Sequence, residues 1–261
     1  MDVDYHAHSS YSDGRHLPLM IEAAVEAGLD GIGFADHANV SSRSEARRAK
    51  LAYAFNLDQT FERRREAIEL FREEYDIRIF DAVEVDYHPA DEAEIRGFLD
   101  DADFQYVIGS VHEVEGVNVH FPGPFKDLSG EKKRAVVDQY FDRVEALVRS
   151  ELFEVAAHPD IIERNDALRG LSTEQDYRQI AEALADSRTI AEINAGRVDE
   201  EYGRFHPGPA FLDVLLDYDL DLTLGTDSHQ PESIEDRVSA IRDLIETRGI
   251  EPISPLATAD R

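Results

Sequence analysis

Along the chain, short runs of β-branched and aromatic residues alternate with stretches in which apolar side chains recur every three or four positions. The runs predict strands and the periodic stretches predict helices. A first strand is read at V-D-Y-H-A-H from Val3, and a first helix over residues 17–27, stopped by Gly28. Further strands are expected at residues 31–37, 78–86, 105–112, 152–158, 189–194 and 221–229. Helices are expected near residues 57–75, 91–100, 131–150, 173–186, 207–216 and 235–247, with Pro207 in the first turn of the sixth. Residues 39–54 are charged and poorly periodic; with Tyr11 they read as a lid. A Gly/Pro-rich loop follows the fourth strand.

Seven strand–helix units with continuously apolar strands predict a parallel sheet covered on both faces. No internal repeat, low-complexity stretch or composition break marks a linker, so residues 1–261 are read as one domain. The choice between an open sheet and a barrel turns on where the chemistry falls. His6 and His8 close the first strand, His37 the second, Glu84 the third and His112 the fourth. His158 closes the fifth, and Asp227 with His229 the seventh. In a barrel such residues converge on one mouth, whereas the outer strand ends of an open sheet lie too far apart to share a site. A closed or nearly closed barrel is therefore expected.

The pairs His6/His8 and Asp227/His229 are spaced two apart, which puts both members on one face of a strand. A single His after a strand is usually a cap or a satisfied core residue, but five strand ends carrying His, with acids beside them, point to convergence. The donors are all imidazole and carboxylate, a set that suits Zn²⁺, Mn²⁺ or Fe²⁺. With Asp13, the candidates are too many for one tetrahedral ion and suit two or three ions, with Glu84 as the bridge.

Composition narrows the partners. The formal net charge of −29 excludes broad affinity for nucleic acid or anionic membranes, so an anionic substrate needs a local island of positive charge. Bound metal supplies such an island. Acids lie in every segment, while only Lys50, Lys126, Lys132 and Lys133 are lysine, a pattern that suits a cytoplasm at molar salt. The absence of cysteine excludes disulfides and thiolate metal sites. No apolar run approaches the roughly 20 residues of a membrane span, and M-D-V-D-Y-H lacks a basic leader, so a soluble, cytoplasmic protein is expected.

Eight pieces carry a resemblance: H-A-H at 6–8, S-D-G at 12–14, D-H at 36–37, E-V-D at 84–86, G-S-V-H at 109–112, A-H-P-D at 157–160, E-I-N at 192–194 and G-T-D-S-H at 225–229. In their order and placement at strand ends they resemble the polymerase and histidinol phosphatase (PHP) family. Y-V-I-G-S-V-H and the freestanding length are most similar to its monofunctional histidinol-phosphate phosphatase branch. The resemblance implies a distorted (β/α)7, TIM-like barrel with its active site at the C-terminal mouth. It implies that His6, His8, Glu84 and Asp227 hold a first ion, that Glu84, His112 and His158 hold a second, and that Asp13, His37 and His229 hold a third. It further implies that Arg164 and Arg197 hold substrate phosphate.

The chain departs from the family pattern in two places. Family phosphatases commonly continue E-I-N-T, then a small residue, Gly, an apolar residue and Arg, whereas this chain reads E-I-N-A-G-R. The family's Tyr-Pro-Ser becomes His206-Pro207-Gly208. The expected activity is metal-assisted hydrolysis of a small phosphate monoester, histidinol phosphate first, with the ions lowering the pKa of an attacking water. Asp227 and His206 are alternative proton donors to the leaving alcohol. His120 is a candidate for the substrate pocket, and His16 and His88 read as solvent-facing loop residues. The rivals are a nucleotide or oligonucleotide phosphoesterase of the same family and a non-catalytic metal-binding domain. An amidohydrolase is disfavoured because no lysine lies on the fourth strand.

Overall fold

The computed structural model describes residues 1–53 and 55–258. In chain order, β1 (Val3–Ala7) leads to α1 (Leu17–Glu26), β2 (Gly31–Phe34), β3 (His37–Ala38), α2 (Ser44–Tyr53), α3 (Leu57–Glu74) and β4 (Arg78–Asp86). Then come α4 (Glu92–Ala102), β5 (Tyr106–Ser110), β6 (Glu113–Val114), β7 (Val117–Asn118), α5 (Gly123–Lys126) and α6 (Gly130–Arg149). The chain finishes with β8 (Val155–Ala156), α7 (Glu174–Ala185), β9 (Ile190–Asn194), α8 (Pro209–Asp217), β10 (Leu222–Gly225) and α9 (Ile234–Arg248).

The main sheet runs β1-β2-β4-β5-β8-β9-β10, and every pairing in it is parallel. β3 continues the line of β2 along the same neighbour. Phe34 stands opposite Asp81, and three residues later His37 stands opposite Glu84. Counted by position, these are the seven strands expected. The ends of the sheet meet, because Asp227 N–H donates to His6 O at 2.7 Å and His8 N–H to Ser228 O at 3.0 Å. The result is a nearly closed TIM-like barrel with helices outside.

Inside the barrel, Val3, Phe80, Ala82, Tyr106, Ile108, Val155 and Ile190 form one buried apolar cluster. The register of β1 against β2 is irregular between Asp4 and Ala7, so the inward-facing series Val3, Tyr5 passes to His6 and His8. Outside, the apolar stripes of α6, α7 and α8 bury Tyr140, Phe141, Ile180 and Phe211 in a second cluster. Local signals agree with the element ends. A capping box joins Thr173 and Asp176 at the start of α7, and α9 stops at Gly249 in the left-handed region, φ 64°.

Three local expectations are corrected. Residues 39–54, read as poorly periodic, carry the helix α2; Ala54 lies outside the described residues. Its sequence is mostly charged and alanine, with Leu51 and Tyr53 as its large apolar residues. The loop after the fourth strand contains the hairpin of β6 and β7, turned at Glu115 and Gly116, φ 52° and 75°. The sixth-unit helix starts at Pro209, not Pro207, because Asp160 Oδ2 accepts from Gly208 N–H at 2.7 Å and holds the chain extended there. Among the described residues, no helix is long and apolar enough to cross a membrane.

Candidate active site

Glu84, near the C-terminal end of β4 and 1 % exposed, is the centre of the mouth. Its Oε2 lies 3.0 Å from His37 Nδ1, 3.2 Å from His6 Nε2 and 3.5 Å from His8 Nε2. Its Oε1 faces the other way, 3.1 Å from His158 Nε2 and 3.6 Å from His112 Nε2. One carboxylate thus addresses two sets of imidazoles with its two oxygens. Asp227 Oδ1 lies 3.2 Å from His8 Nε2 and 3.6 Å from His229 Nδ1. Asp13 Oδ1 lies 3.2 Å from His229 Nε2, 3.9 Å from His37 Nε2 and 4.0 Å from His8 Nδ1. All nine residues named from the sequence meet here. The donor atoms of eight of them form three groups within 4.8 Å: His6, His8 and Asp227; His37, Glu84 and His112; His8, Asp13, His37 and His229; His158 falls in none of these groups and meets the cluster through Glu84. His8 faces Asp227 with Nε2 and Asp13 with Nδ1, and His37 faces Glu84 with Nδ1 and Asp13 with Nε2.

Behind these side chains stand carboxylates to which sequence reasoning gave no role. Glu192 on β9 accepts from His6 Nδ1 at 2.6 Å, and its Oε2 accepts from His158 N–H at 3.2 Å. Gly225 makes room for it, since a Cβ there would lie 2.1 Å from Glu192 Oε1 and 2.5 Å from His6 Cβ. Asp86 accepts from His112 Nδ1 at 2.6 Å and from Asn39 Nδ2 at 2.9 Å. Asp36 accepts from Ser9 N–H (2.6 Å), Ser12 Oγ (2.8 Å) and the buried Arg64 (2.9 Å), and so fixes the loop that carries Asp13. Such partners set which imidazole nitrogen keeps its proton and which is free for an ion. The sequence signal was an acid on a strand within one or two residues of a candidate ligand (Asp36-His37, Glu84-Val85-Asp86), or aligned with one on a neighbouring strand. His158 and Asp227 adopt positive φ, 30° and 50°, where a non-glycine backbone is strained and must be held by its surroundings.

The electrostatics follow from this packing. Burial opposes ionisation of Glu84, yet the charges of His37 and His6 hold its carboxyl well below the usual range. Asp227, also buried, is held low by the hydrogen bond from His8 and the charge of His6. Burial would lower His112, but Asp86 and then Glu84 raise it to about 9. His8, buried and beside His229 and His37, falls to about 4. In the metal-free fold, protons on some imidazoles therefore supply the positive charge that the acids demand.

A cavity of about 310 Å³ opens over this cluster. Arg164, Arg197 and His120 line its wall, and Asn39, Arg43, Ala46 and Phe55 line the side where the lid was expected. Tyr11 is not among the lining residues; its hydroxyl reaches Arg63 O at 3.4 Å. His206, the alternative proton donor, does not line the cavity either. It is buried, with Nδ1 2.7 Å from Asp160 Oδ1 and its ring stacked on Tyr202 at 4.9 Å. His16 is exposed, and partly buried His88 accepts from Ala90 N–H at 3.1 Å.

The donors fit divalent ions. Buried imidazoles and carboxylates crowd within a few ångströms of one another with no hydrophobic spacer, and the carboxylates stay ionised only beside positive charge. A nearly closed parallel barrel with a His/Asp/Glu cluster at its C-terminal mouth defines the class as an α/β barrel whose mouth could hold metal ions. A PHP domain match spans residues 4–196, and the chain belongs to that family. It is 26 % identical over 232 residues to a probable histidinol-phosphatase of Deinococcus radiodurans, covering 85 % of each chain. It is 24 % identical over 263 residues to a histidinol-phosphatase of Lactococcus lactis, covering 97 % of this chain and 93 % of the relative. The crystal structure of the L. lactis histidinol phosphate phosphatase complexed with zinc, L-histidinol and phosphate superposes with a TM-score of 0.76 at 25 % identity. The match covers 98 % of this chain and 97 % of that one.

Proposed function

We propose that the protein is a metal-dependent phosphatase that hydrolyses histidinol phosphate to histidinol and phosphate. The observation that carries this reading is Glu84 shared between two imidazole sets on the floor of a cavity whose wall presents Arg164 and Arg197. The relatives named for this activity, and the bound histidinol and phosphate of the L. lactis enzyme, support the substrate.

We assign His6, His8, Glu84 and Asp227 to one ion, Glu84, His112 and His158 to a second, and Asp13, His37 and His229 to a third. Bound there, divalent ions lower the pKa of water and draw charge from phosphoryl oxygens. Arg164 and Arg197 take the remaining phosphoryl oxygens and orient the ester for in-line attack. Glu192 and Asp86 fix the proton on Nδ1 of His6 and His112, so that Nε2 of each faces the site. Asp227 lines the cavity and His206 does not, so of the two we place Asp227 beside the leaving oxygen. A soluble cytoplasmic enzyme acting on a small metabolite fits the acidic surface. The test is phosphate release from histidinol phosphate compared with AMP and short oligonucleotides. Turnover of the first at least about tenfold more efficient, in kcat/KM, is expected; a preference for either nucleotide substrate would overturn the reading.

A further inference from the structure

Outside the His/Asp/Glu cluster, three nitrogen groups of the cavity wall lack partners among the described residues. The Arg164 guanidinium has no ion pair among the described residues, and Arg197, whose Nη1 is paired with Glu200, keeps a buried Nε with nothing to bond. The third is His120, whose Nε2 is buried and unpaired in the wall of the same cavity. A buried imidazole nitrogen without a partner is costly compared with an apolar side chain of similar size. His120 is nonetheless held firmly in place. Its N–H donates to Asn118 Oδ1 at 2.8 Å, and the preceding Val119 is tied by its N–H to His112 O at 2.9 Å and by its O to Asn165 Nδ2 at 2.7 Å. Its ring meets the His112 ring edge-on at 5.2 Å.

Arg164 and Arg197 line the same cavity as His120. Arg164 and Arg197 already repel one another, and burial with that repulsion brings Arg164 down to about 10. A further cation would add repulsion, whereas a neutral N–H adds a hydrogen bond without it.

We propose that His120 is a third phosphate-holding residue, its Nε2–H donating to a phosphoryl oxygen that Arg164 and Arg197 leave unpaired. This rests on the reading of the cavity as a phosphate monoester site. It gives the site an imidazole N–H beside two guanidiniums and explains why a polar side chain occupies a position that packing alone would fill with leucine.

The experiment uses the metal-loaded full chain and two variants, His120→Leu and His120→Gln; glutamine places an amide N–H near the position of Nε2. Binding of inorganic phosphate, and separately of histidinol, is measured by titration calorimetry, with metal content determined on the same samples. His120→Leu is expected to weaken phosphate binding about tenfold or more, the loss typical of a hydrogen bond to a charged group. His120→Gln should recover most of that loss, with histidinol binding and metal content unchanged in both. Unaltered phosphate binding in His120→Leu overturns the proposal. So does a loss confined to histidinol, which would place the residue on the alcohol half, and so does loss of metal, which would place it in the metal centre. Failure of the wild-type protein to bind phosphate at all would sink the phosphatase reading itself, before any variant is compared.

Discussion

His6 Nδ1 lies 2.6 Å from Glu192 Oε1 while its Nε2 faces Glu84 Oε2 at 3.2 Å, so one ring on the first strand is held between carboxylates from two others. Burial works against charge on this ring, but Glu192 and Glu84 raise its pKa well above the ordinary value. On the proposed assignment the contact with Glu192 holds the Nδ1 proton and leaves Nε2 for an ion. Glu192→Gln keeps an acceptor but loses the charge, and is expected to weaken metal retention by roughly tenfold to a hundredfold. Gly225→Ala should act in the same direction by displacing Glu192. Competition with a chelator measures both, and wild-type affinity in the two variants would refute the role given to Glu192.

The shared position of Glu84 makes a stronger claim. Protein purified without chelator should carry two or three equivalents of divalent metal per chain, and Glu84→Gln should lose more metal than any single histidine variant, since on the proposed assignment one amide replaces a charged ligand of two ions. Its turnover should fall by at least about a hundredfold, roughly 2.7 kcal/mol. Elemental analysis showing one equivalent or less in the wild type at full occupancy would end the multinuclear assignment.

Metal loading should depend on pH in a defined direction. In the metal-free fold His112 is raised from 6.5 to about 9 by Asp86 and Glu84 despite its burial. The stability it contributes is fully present below pH 6.5 and is lost as pH rises through about 9. An ion must displace this proton, so apparent metal affinity should rise between pH 7 and 9, by up to about tenfold per unit for each proton released. Chelator competition at pH 7, 8 and 9 reads this slope, and a flat profile would show that no proton is displaced.

The strand ends were legible in the sequence because strand residues alternate faces and ligands at the C-terminal edge stand out against apolar runs. His6, His8, Glu84 and His158 could be read one strand at a time. Glu192 could not, because its role depends on a neighbour 186 residues away and on the missing side chain of Gly225. The helix α2 was hidden for a different reason: Leu51 and Tyr53 are its large apolar residues, and it borders the cavity through the small Ala46. The surroundings of His206 could not be read either, because Asp160, which with Tyr202 holds it in the protein interior, comes from another part of the chain.

The acidic surface has its own consequence. A net charge of −29 repels itself over a Debye length near 10 Å at about 0.1 M salt and is screened within about 3 Å at 1 M. The melting temperature should therefore fall as salt is lowered from molar to about 0.1 M. A melting temperature that is flat or rises on desalting would remove the case for a high-salt cytoplasm.

Recognition of phosphate must overcome that same field. Arg197 lines the cavity with its Nε buried and unpaired, while Nη1 is held by Glu200, so the guanidinium is fixed in place with a donor unspent. Arg197→Lys keeps the charge but loses the planar fork that suits two phosphoryl oxygens. It is expected to lower kcat/KM for phosphate monoesters by roughly tenfold or more, about 1.4 kcal/mol, with metal content unchanged. Arg164→Ala should act in the same direction, and because the two guanidiniums share one cavity the losses should not simply add. An Arg197→Lys enzyme with intact kcat/KM on its best substrate would show that the fork is not what holds the phosphate. The short E-I-N-A-G-R segment that carries this arginine would then be the place to look for a different substrate.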